Sequence, residues 1–248
     1  MENMKSFRNL ALMTLVASSI FTCCQKDEND PATTLGVVIQ ATGKSFSVLK
    51  STAATPGFVW DTSTMVVSKI EFEVEKYDSS SLDGTTETSV EWHGPKIVDL
   101  FSVNTLVGTI DLLPGLYHEI SLKVEGYKSD AGNIPVFYLS GNFTNTEGLA
   151  IPVSIIVDED IELRVKQEDV QIDGNSDYTT LVHVELDQLL ADVTAADMES
   201  ATLTSGRVIV SASTNTDIYE KIVASFSTCS ESHFSKGRDH EEDDDRGQ

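Results

Sequence analysis

Between residues 65 and 77 the chain alternates so regularly that one local structure accommodates it. Val66, Ser68, Ile70, Phe72 and Val74 take one set of alternate positions; Val67, Lys69, Glu71, Glu73 and Glu75 take the other. A helix would scatter both sets around its axis. An extended strand, whose successive side chains point to opposite faces, sorts them into one buried and one wet face. A solvated face favours an antiparallel sheet over a parallel one covered on both sides. Asp83-Gly84 marks the turn that follows, and residues 87–92 supply a return strand.

Short apolar or alternating segments continue along the chain at 35–40, 46–49, 97–101, 109–113, 117–127, 135–139, 151–157, 161–166, 179–186 and 207–211. At 161–166, Ile161, Leu163 and Val165 alternate with Glu162, Arg164 and Lys166. Gly, Pro, Asp and Asn turns separate these segments. Many short strands of this kind predict a mainly β chain: an antiparallel β-sandwich over residues 35–230. Helical spacing enters only late, at 186–198 and at 215–226. In the second segment Ile218, Ile222 and Val223 share a face, and Asn215 or Thr216 is the candidate N-cap of a short C-terminal helix.

Two segments lack periodicity. Residues 24–34 are polar, carry Pro31 and read as a flexible tether; residues 231–248 end in EEDDDRGQ and read as a disordered acidic tail. Acidic residues number 40 against 17 Lys and Arg, a formal net charge of −23. Such a chain repels a phosphate backbone, which excludes nucleic acid as a partner, and gains nothing from anionic headgroups. It suits a soluble body, or one that meets cations or basic partners.

The first 28 residues have a different logic. Lys5 and Arg8 precede an uncharged run at 10–21, LALMTLVASSIF, and the polar QKDEND follows Cys23-Cys24. A spanning helix needs roughly 20 apolar residues, so this run is too short to span and has the length of an export signal's apolar core. A buried helix of the fold and an unlipidated secretory signal are the other readings. The cysteine at the end of the run is similar to a lipoprotein signal, in which a cysteine receives the lipid and becomes the new N-terminus. Gln25, Lys26, Asp27 and Glu28 resemble the surface-export signal of Bacteroidetes lipoproteins, which begins directly after that cysteine. The resemblance implies a signal peptide at 1–23 and lipid on Cys24, with Cys23 as the alternative, since neither cysteine follows Gly, Ala or Ser. Cys229 is the third cysteine. It stays a lone thiol if Cys24 is lipidated, and could pair with Cys24 if Cys23 is.

Residues 112–124, LLPGLYHEISLKV, together with Val98-Asp99-Leu100-Phe101, resemble a pattern in uncharacterised bacterial lipoproteins with transthyretin-like (prealbumin-like) β-sandwich domains. Gly115 would allow the turn, while Tyr117 would pack its ring and bond its hydroxyl at the corner. The resemblance implies a fold and no activity.

Motifs for chemistry are sparse. The chain has no Gly-x-Ser-x-Gly, no His-Glu-x-x-His and no Cys-x-x-Cys. His93, His118 and His183 each stand alone in strand sequence; catalysis would require two of them to meet beside carboxylates. Asp173, Asn175 and Asp177 space oxygens like a calcium loop, with Asp158, Glu159 and Asp160 as further partners. Tyr178 and Val184, however, stand where that loop needs Gly and Glu, and an ordinary turn explains the segment. His233 and His240, the latter beside Asp239, Glu241 and Glu242, could take divalent ions. Trp60, Trp92, Tyr127 and Tyr138 are candidates for a glycan-stacking surface, with core packing as the ordinary alternative. The expectation is a non-enzymatic outer-membrane lipoprotein, periplasmic or surface-exposed, with no catalytic residue, resident metal or cofactor. It would touch the membrane through its lipid and a protein or glycan through its domain. An envelope hydrolase and a calcium-stabilised adhesion module are the alternatives.

Overall fold

The computed structural model describes residues 33–48, 56–78, 84–103, 105–128 and 134–236. Cys23, Cys24 and the export-type residues 25–28 lie outside the described residues, as do residues 237–248 with His240. The described chain is mainly β. Its strands begin with β1 (Thr33–Thr42), β2 (Ser45–Ser47), β3 (Gly57–Tyr77), β4 (Thr85–Asp99), β5 (Leu106–Leu112), β6 (Gly115–Gly126) and β7 (Phe137–Thr144). They continue with β8 (Ala150–Val157), β9 (Ile161–Ile172), β10 (Tyr178–Glu185), β11 (Leu203–Thr204), β12 (Arg207–Val210) and β13 (Ser230–Lys236). Three short helices, α1 (Leu186–Leu189), α2 (Ala195–Ser200) and α3 (Thr216–Ser225), lie between β10 and β13.

One sheet has the order β13-β10-β1-β5; the larger runs β11-β12-β8-β7-β3-β6-β9, with β2 and β4 also paired to β3. Both sheets are mixed. Strand β1 lies parallel to β10, and β12 parallel to β8. The purely antiparallel arrangement expected from alternation fails at these two pairs. Alternation reports which face is wet, whereas a parallel pair needs only a long connection between its strands, and both pairs have one.

Strand β3 is the hub. Its first half pairs with β2 and β7, and its second half with β4 and β6. Register shifts fall between Trp60 and Thr62 and between Val67 and Lys69. Each bulge moves the inward parity by one residue, so the buried side chains run Phe58, Trp60, then Ser63, Met65, Val67, then Ile70, Phe72, Val74. This corrects the single alternating face read from sequence. Val66 is buried as well but lies off the Ile70 face, and Ser68 accepts the backbone N–H of Tyr127 at 3.0 Å.

One buried cluster draws on both sheets. It joins Leu35, Val37 and Ile39 of β1 and Val182 and Val184 of β10 to Ile70, Phe72, Leu122, Val124 and Leu163. Leu186, Leu189, Ile218 and Ile222 bring α1 and α3 into the same cluster. Phe58 stacks on Trp60 with ring centroids 5.0 Å apart and meets Phe143 at 5.1 Å. Gly141 faces Trp60 in register, and a Cβ there would stand 2.1 Å from the Val59 carbonyl oxygen. Only glycine lets β7 pass the bulge at that point. The corner expected at Tyr117 is present: its ring is buried and its hydroxyl donates to the Leu113 carbonyl at 2.5 Å.

Both ends of the domain differ from expectation. Thr33 and Thr34, read as tether, open β1; Thr33 is buried and its hydroxyl donates to the Asp173 carbonyl at 2.8 Å. At the other end β13 occupies Ser230–Lys236, so the sheet runs six residues into the stretch read as tail. Its sequence, SESHFSK, hides a strand because an edge strand needs few apolar residues. Phe234 alone anchors it apolarly, packing its ring 5.2 Å from Tyr178. Just before β13, Cys229 is a free, fully buried thiol whose pKa burial pushes up to about 12.

The late helices keep their places but not their predicted cap. Asn215 sits before α3 in the left-handed region, φ 53°, and makes no side-chain cap bond. Its amide instead ties the segment before β11 to strand β12: Oδ1 accepts from Thr202 N at 2.8 Å, and Nδ2 donates to Ile209 O at 2.7 Å. Helix α2 has the complete cap, a reciprocal box between Thr194 and Asp197.

Candidate functional site

The wet face of the larger sheet is a charge ladder four strands wide. Register places His93, Lys69, Glu125 and Glu162 in one row across β4, β3, β6 and β9, and Glu91, Glu71, Lys123 and Arg164 in the next. Opposite charges interlock there. Lys69 Nζ lies 2.7 Å from Glu91 and 3.1 Å from Glu71, and Lys123 Nζ lies 2.7 Å from Glu125 and 3.3 Å from Glu162. The Lys69 hydrogen bond holds the Glu91 carboxyl below its usual range. Burial pushes Glu125 up, but hydrogen bonds from Lys123 and Tyr127 outweigh it and leave this carboxyl depressed.

Farther along the same strands the compensation thins. Glu87, Glu75, Glu119 and Glu168 form a row of four carboxylates, with Glu73 beside it. Lys166 reaches Glu119 at 2.7 Å. Glu73, Glu75, Glu87, Ser89 and Glu119 border a shallow groove of about 400 Å³. Like charges directly opposite on a sheet oppose folding.

The three strand histidines named from sequence do not meet. His93 sits beside Glu91, 3.1 Å away, at the level of Lys69. His118 lies near the other end of β3, where its Nδ1 is 3.0 Å from the Tyr77 hydroxyl. That hydroxyl also donates to Asp169 at 3.3 Å, and Asp169 holds a positive φ of 54°. Burial first, then Asp169, raises the Tyr77 pKa, which keeps the phenol protonated rather than arming it. Tyr77, Phe72, Val74, Val90, Leu112 and Tyr117 border a more apolar groove of about 410 Å³. His183 belongs to the other sheet.

The calcium-like turn, between β9 and β10, is engaged inside the domain. Asp173 Oδ2 lies 2.9 Å from Lys236 Nζ and Oδ1 accepts from Asn175 N at 3.2 Å, while Asp177 Oδ1 accepts from the Thr34 hydroxyl at 2.6 Å. The Lys236 bond is the first cause of a lowered Asp173 pKa. Of the companion acids, Asp158 pairs with Lys128 at 2.9 Å, Glu159 accepts from Tyr219 at 2.6 Å and Asp160 accepts from Lys128 N at 2.8 Å. The aromatic set also disperses. Trp60 is core, Trp92 packs against the core beside Gly108, and Tyr127 donates to Glu125 at 2.7 Å.

What sequence reading missed lies on the smaller sheet. His183 on β10 faces Glu231 on β13, and His233 stands one pair along on the same side. Their ligand atoms all lie within 4.8 Å of one another, the one such group of three or more His, Cys, Asp or Glu among the described residues. Reading 230–236 as a strand would have placed Glu231 and His233, two apart, on one face. Their partner His183 needs the register of a non-local pair. No family model, curated protein or solved structure matches the chain.

Proposed function

We propose that the chain is a non-enzymatic envelope lipoprotein, held to the outer membrane by lipid on Cys24, with Cys23 as the alternative. Its β-sandwich domain, of transthyretin-like class, serves a binding or structural role at the cell surface or in the periplasm. One observation carries the reading: the export-type sequence runs almost directly into the buried first strand. Residues 25–32 alone separate Cys24 from Thr33. At roughly 3.5 Å per residue they reach no farther than about 30 Å, so the domain works close to the bilayer. The formal charge of −23 favours a protein or glycan partner over nucleic acid, and leaves membrane contact to the lipid.

The spacing of the histidines supports a non-catalytic role. The levels of His93 and His118 differ by the length of β3 from Lys69 to Lys76, about 20 Å at the usual strand rise. Metabolic labelling with a fatty acid tests the anchor. The wild-type chain and Cys23→Ala take up label, and Cys24→Ala does not. A wild-type chain that takes up none overturns the reading.

A further inference from the structure

We propose that His183, Glu231 and His233 form a binding site for a zinc-class divalent ion, which clamps the C-terminal strand β13 onto β10. The site is built by register. Residues 183 and 231 are directly opposed, and 181 pairs with 233, so the three side chains rise from one side of the sheet at adjacent levels.

The distances favour a shared cation over direct bonding. Glu231 Oε1 lies 3.7 Å from His183 Nδ1 and 3.6 Å from His233 Nε2. Both are too long for a hydrogen bond. Around a tetrahedral zinc, with metal–nitrogen and metal–oxygen distances near 2.0–2.1 Å, neighbouring ligand atoms stand about 3.3 Å apart. Shifts of a few tenths of an ångström bring Glu231 to that spacing from each histidine, and all three ligand atoms already lie within 4.8 Å of one another. The two imidazoles meet edge to face, centroids 5.3 Å apart, which lets both turn a nitrogen towards one point.

Chemistry selects the ion. Two imidazoles and one carboxylate suit zinc and its transition-metal neighbours, while calcium and magnesium prefer all-oxygen shells. His183 is the recessed ligand, its side chain 18% exposed against 65% for His233 and 51% for Glu231. The open side leaves the remaining coordination position to water. The acidic chain raises the local concentration of any divalent cation. Strand β13 has reason to use one, since Phe234 is its single large apolar residue.

The test is a zinc titration of the full-length chain against a chromogenic chelator, read together with thermal melting. Wild type binds one Zn²⁺ and melts higher with it, and excess Ca²⁺ does not compete. His183→Asn and His233→Asn each weaken binding by about 100-fold, the upper range for losing even an outer-shell support. Glu231→Gln weakens it less. His233→Asn and Glu231→Gln alter exposed positions, so folding is retained without metal. His240→Asn leaves binding unchanged. Cobalt(II) in place of zinc gives the visible absorption of a tetrahedral site, lost in His233→Asn. Equal zinc binding by wild type and the double variant His183→Asn/His233→Asn would overturn the site, as would loss of binding in His240→Asn or equal competition by Ca²⁺. None of these outcomes depends on lipidation.

Discussion

Lys236, the last residue of β13, places its Nζ 2.9 Å from Oδ2 of Asp173, in the turn that leads into β10. Thr33, the first residue of β1, donates to the carbonyl of the same aspartate. Strand β1 is parallel to β10 and β13 antiparallel to it, so the chain enters and leaves the domain at the same end. Two strand spacings, about 10 Å, separate the two points. Lipid on Cys24, as proposed, would therefore bring the end of β13 towards the membrane together with the start of β1.

The engagement of Asp173 and Asp177 bears on calcium. Adding calcium, or a calcium-selective chelator, leaves the melting temperature of the wild-type chain unchanged. Lys236→Ala lowers it by loosening the ends from the turn. A calcium-dependent rise that disappears in Asp173→Asn would restore the calcium-loop reading.

Asp197 predicts an acid transition. Lys221, 2.7 Å away, and then the Thr194 backbone N–H hold its carboxyl at about 2, below the ordinary 3.8. A depressed pKa means stability that is fully present above about pH 4 and lost as pH falls through about 2. Asp197→Asn costs about 1 kcal/mol at neutral pH, the usual worth of a cap. Urea midpoints of wild type and variant converge between about pH 4 and 2. A constant offset across that window would show that the charge is not responsible.

Ser63 is fully buried on β3, and its hydroxyl has no hydrogen-bond partner among the described residues. A buried, unsatisfied hydroxyl costs stability, so Ser63→Ala raises the unfolding free energy by about 1 kcal/mol. Chemical denaturation measures this directly, and a lower midpoint would mean that the hydroxyl is satisfied.

The carboxylate row predicts an effect of salt. Glu75 stands between Glu87 and Glu119, so Glu75→Gln stabilises by about 0.5 kcal/mol at low ionic strength. The gain shrinks as salt screens the row. A Glu75→Gln chain less stable than wild type at low salt would mean that the row is held by a cation.

Legibility in the sequence followed the range of the forces involved. Ile161, Leu163 and Val165 turn inward as read, because face selection depends on a residue and its neighbours two away. The Tyr117 corner was legible through the resemblance of residues 112–124, and its bond spans only four residues. The bulges in β3 were not, since a bulge is set by the partner strand as much as by its own residues. The parallel β1–β10 pair and the His183–Glu231–His233 cluster were hidden by distance along the chain. Strand β13 was hidden by polarity, which an edge strand shares with a tail.

Lipidation at Cys24 is tested most directly by the intact mass of the protein extracted from the membrane fraction of the cells that make it. The expected species begins at Cys24 and carries the added mass of a diacylglyceryl group, with Cys229 reduced. An unmodified chain that begins at Met1, or one cut after the apolar run with no lipid, would contradict it.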